Sequence, residues 1–202
     1  MKRFPFEKAH LLDSKERYKY QPPDRLINLL KEYKTVLDYG AGTGYFSIPL
    51  AKIFKEKTQK STIIAIDIDP QFIQAIEKKV LQHKVSDIVK TRLTKESITQ
   101  LPFPDNYFDA VIIINTVHLI SDIDSTLKEI YRVLQSKGIL IITDWDPKMI
   151  LQVGPKQDER LPTEQVEDHL RNSKFNNYNK INLYKGFYSY IIRKNDDNYI
   201  LP

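Results

Sequence analysis

Short apolar runs alternate along the chain with longer stretches in which apolar residues recur every three or four positions. The runs "TVLDY" (35–39), "STIIAIDID" (61–69), "DIVKTRL" (87–93), "YFDAVIIIN" (107–115) and "ILIITDW" (139–145) have the length and β-branched content of strands. Between them, residues 24–33, 45–54, 70–83, 122–135 and 162–175 carry helical spacing. Alternation of this kind predicts a parallel sheet wrapped by helices, with "AVIII" in a central strand. Punctuation residues set the expected ends: Asp24 caps the first helix, Pro49 sits in the first turn of the second, and Asp69 helps to cap the third before Pro70. Gly138 is expected just past the end of the fourth helix. Two last strand-like runs, "KINLYK" and "FYSYIIRK", meet at Gly186 and predict an antiparallel hairpin.

The stretch "DYGAGTGY" stands where the first strand hands over to a helix. Glycines there let a ligand approach the main chain and meet the free N–H groups of the helix N-terminus. Dinucleotide folds use G-x-G-x-x-G, whose third glycine admits close helix–strand packing. Here the glycines are Gly40, Gly42 and Gly44, and Tyr45 occupies the position of that third glycine, which disfavours NAD. Asp38 stands two residues before the loop, where a carboxylate can receive a ligand ammonium or orient the loop. Asp67, ending the second strand, can accept hydrogen bonds from ribose hydroxyls.

Composition narrows the remaining classes. The 202 residues suit one domain, 41% are hydrophobic and 28% charged, and the formal net charge of +5 is spread without a block. A solvated surface is the plain reading, with an acidic partner such as RNA or anionic lipid as the alternative. With no cysteine, disulfides, thiolate metal sites and a cysteine nucleophile are excluded. No His/Asp/Glu cluster has metal-ligand spacing, no run reaches membrane-spanning length, and the N-terminus lacks a secretory signal, so a cytoplasmic protein without membrane insertion is expected. No feature of the chain specifies an oligomeric state.

In order, "VLDYGAGTGYFSIPLA", "IIAIDIDPQFI", "LPFPDNYFDAVIII" and "LKEIYRVLQSKGILIITDW" resemble the successive motifs of class I S-adenosylmethionine-dependent methyltransferases, and more narrowly the type 11, ubiquinone/menaquinone methyltransferase-like group. The resemblance implies a Rossmann-like, doubly wound α/β fold. Its seven-stranded sheet would be mostly parallel, with a C-terminal antiparallel hairpin. It implies S-adenosylmethionine as cofactor and S-adenosylhomocysteine as product. Asp38 and the loop Gly40, Ala41, Gly42, Thr43 and Gly44 would hold the methionine part. Asp67 would bind the ribose, Ile68 would lie against adenine, and Glu96 or Ser97 would meet the adenine amine. Asn115, ending the fourth strand, would offer its backbone to the cofactor's amino group. The loop "NTVHLISD" lacks an Asn-Pro-Pro-aromatic signature, which weakens any likeness to enzymes that methylate nucleic-acid bases.

Methyl transfer from a sulfonium needs mainly alignment of a nucleophile, and a general base helps when the acceptor is a phenol, enol or amine. His118 is the base candidate, with a structural histidine as the alternative. Trp145 is read as wall or packing, and Arg160 as anion binder or surface residue. Residues 1–23, in which Phe4, Phe6, Tyr18 and Tyr20 mix with Arg17 and Lys19, are read as a lid-like segment before a methyltransferase domain at 24–202. The expected acceptor is a small molecule offering O, N or C. The rivals are a protein side chain or RNA, and a cofactor-binding protein without turnover.

Overall fold

The computed structural model describes residues 3–58, 60–95 and 100–195, which fall into two compact units divided at residues 96 and 97. In the first unit, β1 (Thr35–Tyr39), β2 (Thr62–Asp67) and β3 (Val89–Leu93) run parallel, with β2 between the other two. Strands β1 and β2 are buried along almost their whole length, which is why they read as apolar runs. Three helices precede β1: α1 (Ala9–Leu12), α2 (Lys15–Tyr20) and α3 (Pro23–Leu30). α4 (Ser47–Glu56) follows the glycine loop, and α5 (Pro70–Gln82) follows β2. Asp69 caps α5 as expected, accepting a 2.8 Å hydrogen bond from Gln71 N. The first helix differs from expectation. Pro22 holds the cap position of α3 and Pro23 opens it, so Asp24 lies inside the first turn and makes no cap. The fixed φ of proline sets that entry without a side-chain acceptor.

In the second unit, β4 (Phe108–Ile114) runs parallel to β5 (Leu134–Trp145), with α6 (Ile123–Val133) connecting them. α7 (Thr163–Asn172) leads to the antiparallel strands β6 (Asn179–Lys180) and β7 (Phe187–Arg193), and β7 pairs with β5. The seven strands form a mixed sheet, mostly parallel with antiparallel C-terminal strands, in the order β3-β2-β1 within the first unit and β4-β5-β7-β6 within the second.

Two local expectations fail in this unit. Gly138 does not end α6, because the chain turns extended at Leu134 and pairs there with Phe108. Gly138 lies instead in a bulged start of β5, where a Cβ would come within 2.9 Å of Gln135 O and 3.0 Å of Asp109 O. Lys194 braces this bulge, its Nζ donating to Leu134 O and Tyr131 O at 2.6 Å each and to Asn106 Oδ1 at 2.9 Å. The "KINLYK" run is also not a full strand. Only its first lysine belongs to β6, because Leu183 and Tyr184 turn inward to be buried and leave the ladder.

Candidate functional site

The loop after β1 is bound to the end of β2. Gly40 N and Ala41 N both donate to Ile66 O, at 3.0 and 2.9 Å. Gly42 N donates to Asp67 Oδ2 at 2.8 Å, while Asp67 Oδ1 accepts from Asp69 N at 3.0 Å. Gly42 and Gly44 take φ of +54° and +76°, a region that L side chains rarely adopt. At Gly44 a Cβ would stand 3.3 Å from Ile48 Cγ1 and 3.4 Å from Ile76 Cγ1, so this glycine allows α4 and α5 to pack closely. The third glycine of a dinucleotide loop serves helix–strand packing, whereas Gly44, one residue earlier, serves packing between two helices.

Asp38 is buried at 3% exposure, and its Oδ2 accepts a 2.6 Å hydrogen bond from Ser47 Oγ in the first turn of α4. Burial pushes its carboxyl up to about 6; Ser47 and Arg17 oppose that rise and the charge of Asp67 adds to it. Burial also raises Asp67, against the backbone N–H groups of Asp69 and Gly42. Two desolvated carboxylates on a loop of backbone donors suit a ligand that brings an ammonium and hydroxyl donors. The residues present therefore fit an amino-acid nucleoside such as S-adenosylmethionine better than a dinucleotide. Ile68, half-buried, directly follows Asp67.

The N-terminal helices rest on this loop. Thr43 Oγ1 donates to Asp13 Oδ1 at 2.9 Å, and Leu12 Cδ1 lies 3.1 Å from where a Cβ of Gly42 would be. Arg17 is buried, with its guanidinium 4.1 Å from the centre of the Tyr45 ring, and Tyr45 Oη donates to Gln21 O at 3.0 Å. Sequence reading missed Asp13 and Ser47. Ser47 carried a signal, because a helix that doubles back on its strand brings its first-turn hydroxyl to the strand's last acidic residue. Asp13 carried none.

In the second unit, β4 is followed by Asn115, which takes a left-handed φ of 55° while its N–H bonds Thr143 O at 2.8 Å. A single 3-10 turn, Val117–Leu119, then presents His118 to the end of β5. Its Nδ1 lies 2.8 and 2.9 Å from the two carboxylate oxygens of Asp144. Asp144 also accepts His118 N at 3.1 Å and Trp145 N at 2.8 Å. The two side chains are 8% and 1% exposed. A carboxylate so placed keeps the proton of a neutral imidazole on Nδ1 and leaves Nε2 as the acceptor. Spacing alone did not reveal Asp144 as the partner of His118.

Trp145 is packed between Phe187 and the backbone of Gly154, where a Cβ would fall 2.7 Å from its ring. Arg160 is buried and clasps the loop after β5, donating to Asp146 O, Met149 O and Pro155 O at 2.9, 2.7 and 3.1 Å. It is neither a surface residue nor an open anion site. Glu96 and Ser97 lie outside the described residues. Among the described residues no group of His, Asp and Glu could hold a metal ion, and no helix is long and apolar enough to cross a membrane.

A family model described as a methyltransferase domain matches residues 30–201. The chain belongs to this methyltransferase-domain family. The class expected from the motif order, S-adenosylmethionine-dependent methyltransferases of class I, is thereby shown, and with it the family's cofactor. The ubiquinone/menaquinone biosynthesis C-methyltransferase of Rickettsia bellii is 32% identical over 110 residues, 54% of this chain and 44% of that protein. The demethylmenaquinone methyltransferase of Bacteroides fragilis is 31% identical over 122 residues, 59% of this chain and 47% of that one. The chain thus spans about half the length of the curated relatives it matches. A SAM-dependent methyltransferase structure from Aquifex aeolicus superposes with a TM-score of 0.79 at 23% identity, covering 95% of this chain and all of that one, a likeness of fold.

Proposed function

We propose that this methyltransferase-family chain transfers a methyl group to a small apolar molecule bearing an acidic hydroxyl, with the ring carbon of a quinol as the leading acceptor. The buried His118–Asp144 pair carries this reading, because a proton acceptor held in one tautomer suits an acceptor that must lose a proton. The names of the Rickettsia and Bacteroides relatives support the quinol class.

S-adenosylmethionine, when bound, supplies a methyl group on a cationic sulfur, so that the leaving group is neutral. Asp38 would take the cofactor's ammonium, Asp67 its ribose hydroxyls, the loop from Gly40 to Gly44 its methionine end, and Ile68 the adenine face. Asn115 would offer its backbone to the amino group. His118 Nε2 takes the proton of the acceptor hydroxyl, and the buried Asp144 carboxylate stabilises the imidazolium that forms. The oxyanion left behind pushes electron density onto the ring carbon, which takes the methyl as the methyl–sulfur bond breaks. That carbon then releases its hydrogen as a proton to solvent while the carbonyl oxygen takes back the proton held on His118, restoring the quinol. Exclusion of water and alignment of this carbon contribute the rest of the acceleration.

The test incubates the protein with S-adenosylmethionine labelled in its methyl group and, separately, a short-chain demethylmenaquinol, bulk RNA and a protein extract. Label in the quinol fraction, lost in His118→Gln, supports the proposal. Label confined to RNA or protein overturns it.

A further inference from the structure

Thr43 is the one hydroxyl residue of the glycine loop, and its side chain is turned away from the loop's interior bonds to Asp13. The second oxygen of Asp13 receives Lys79 Nζ at 2.6 Å, and the same Nζ donates to Thr43 O at 2.9 Å. These three groups join α5, the glycine loop and the turn between α1 and α2 in one closed ring of polar contacts. Leu12 beside it covers the bare face of Gly42, and Arg17 on α2 covers Tyr45. The segment therefore grips Gly42, Thr43 and Tyr45, residues whose conformation shapes the cofactor loop.

This grip is built to be reversible. Neither α1 nor the 3-10 turn before it buries a residue, α2 buries Arg17 alone, and helices of four and six residues have no stability of their own. Asp13 and Lys79 are 39% and 28% exposed, so their ion pair is screened and weak. Docking of α1 and α2 thus depends on the shape of the loop beneath them.

We propose that Asp13 is a positioning residue of the cofactor site, which acts through Thr43 to make cofactor binding and docking of α1–α2 one linked equilibrium. The proposal rests on the reading of the glycine loop as the S-adenosylmethionine site. A ligand that orders the loop stabilises the docked segment, and by reciprocity loss of the latch weakens the ligand.

Hydrogen exchange of the full chain, with and without S-adenosylhomocysteine at a concentration shown by calorimetry to saturate, tests it. Exchange in residues 9–20 is expected to slow by about tenfold or more on binding, while α7 is unchanged. Asp13→Ala and Thr43→Val should each weaken the ligand by about three- to tenfold, the double variant no further, and Thr43→Ser should restore it. Saturation without slowing in 9–20 overturns the proposal, as do effects of the two variants that multiply. Absence of S-adenosylhomocysteine binding to the wild type overturns the loop reading itself and the coupling with it, an outcome the calorimetry alone identifies.

Discussion

Asp67 Oδ2 accepts a hydrogen bond from Gly42 N at 2.8 Å, so the acidic residue that ends β2 holds the loop that follows β1. One side chain therefore shapes the loop and, on the proposed reading, also meets the ligand. Asp67→Ala removes both tasks and leaves a partly buried N–H without its acceptor. Calorimetry with S-adenosylhomocysteine should show a loss of about 100-fold or more, roughly 2.7 kcal/mol. Asp67→Asn keeps an acceptor oxygen for Gly42, and should lose affinity with a smaller fall in melting temperature.

On the proposed reading, Asp38 makes cofactor binding depend on pH. Its folded pKa of about 6 lies above the usual carboxylate value because burial disfavours the charge. The unliganded fold then binds more protons than the unfolded chain between about pH 4 and 6, so this group's contribution to stability falls as pH rises through that window. An ammonium ligand needs the ionised form. Affinity for S-adenosylhomocysteine should drop about tenfold between pH 7 and pH 5, with proton release visible as a dependence of binding heat on the buffer. In Asp38→Asn the part of that pH dependence owed to Asp38 should vanish, leaving any contribution of Asp67.

The glycines separate by what they touch. Gly44→Ala combines a strained φ of +76° with contact on Ile48 and Ile76 across the helix interface, and should cost about 1–3 kcal/mol in chemical denaturation. Gly42→Ala meets Leu12, and Leu12→Ala should recover part of its loss. No second-site change of that kind is expected to relieve Gly44→Ala, because its neighbours belong to the core.

Arg160 holds the loop after β5 through three carbonyls. Arg160→Ala should destabilise the protein by about 2–4 kcal/mol and open residues 147–159 to limited proteolysis. Arg160→Lys should not restore the loop, since a compact ammonium cannot span carbonyls arranged for a guanidinium. Affinity for S-adenosylhomocysteine should stay within about twofold of the wild type, as measured by calorimetry.

The sequence by itself determined the order of strands and helices, the glycine turn, and the acidic residues Asp38 and Asp67 at two strand ends. These features are local: an apolar run, a bare backbone or a strand-ending carboxylate is defined by neighbours a few positions away. Even among local features, Gly138 and the "KINLYK" run misled, because a strand bulge and an inward turn answer to the partner strand and the core.

Tertiary structure decided the partnerships. Asp67 with Gly42, His118 with Asp144 and Asp13 with Thr43 are separated by 25, 26 and 30 positions. No periodicity links such residues, since a hydrogen bond depends on where the folded backbone brings two atoms and not on the chain between them. Arg160 shows the same limit from the other side. Its charge suggested a ligand, and only burial against three carbonyls revealed that its partner is the protein's own main chain.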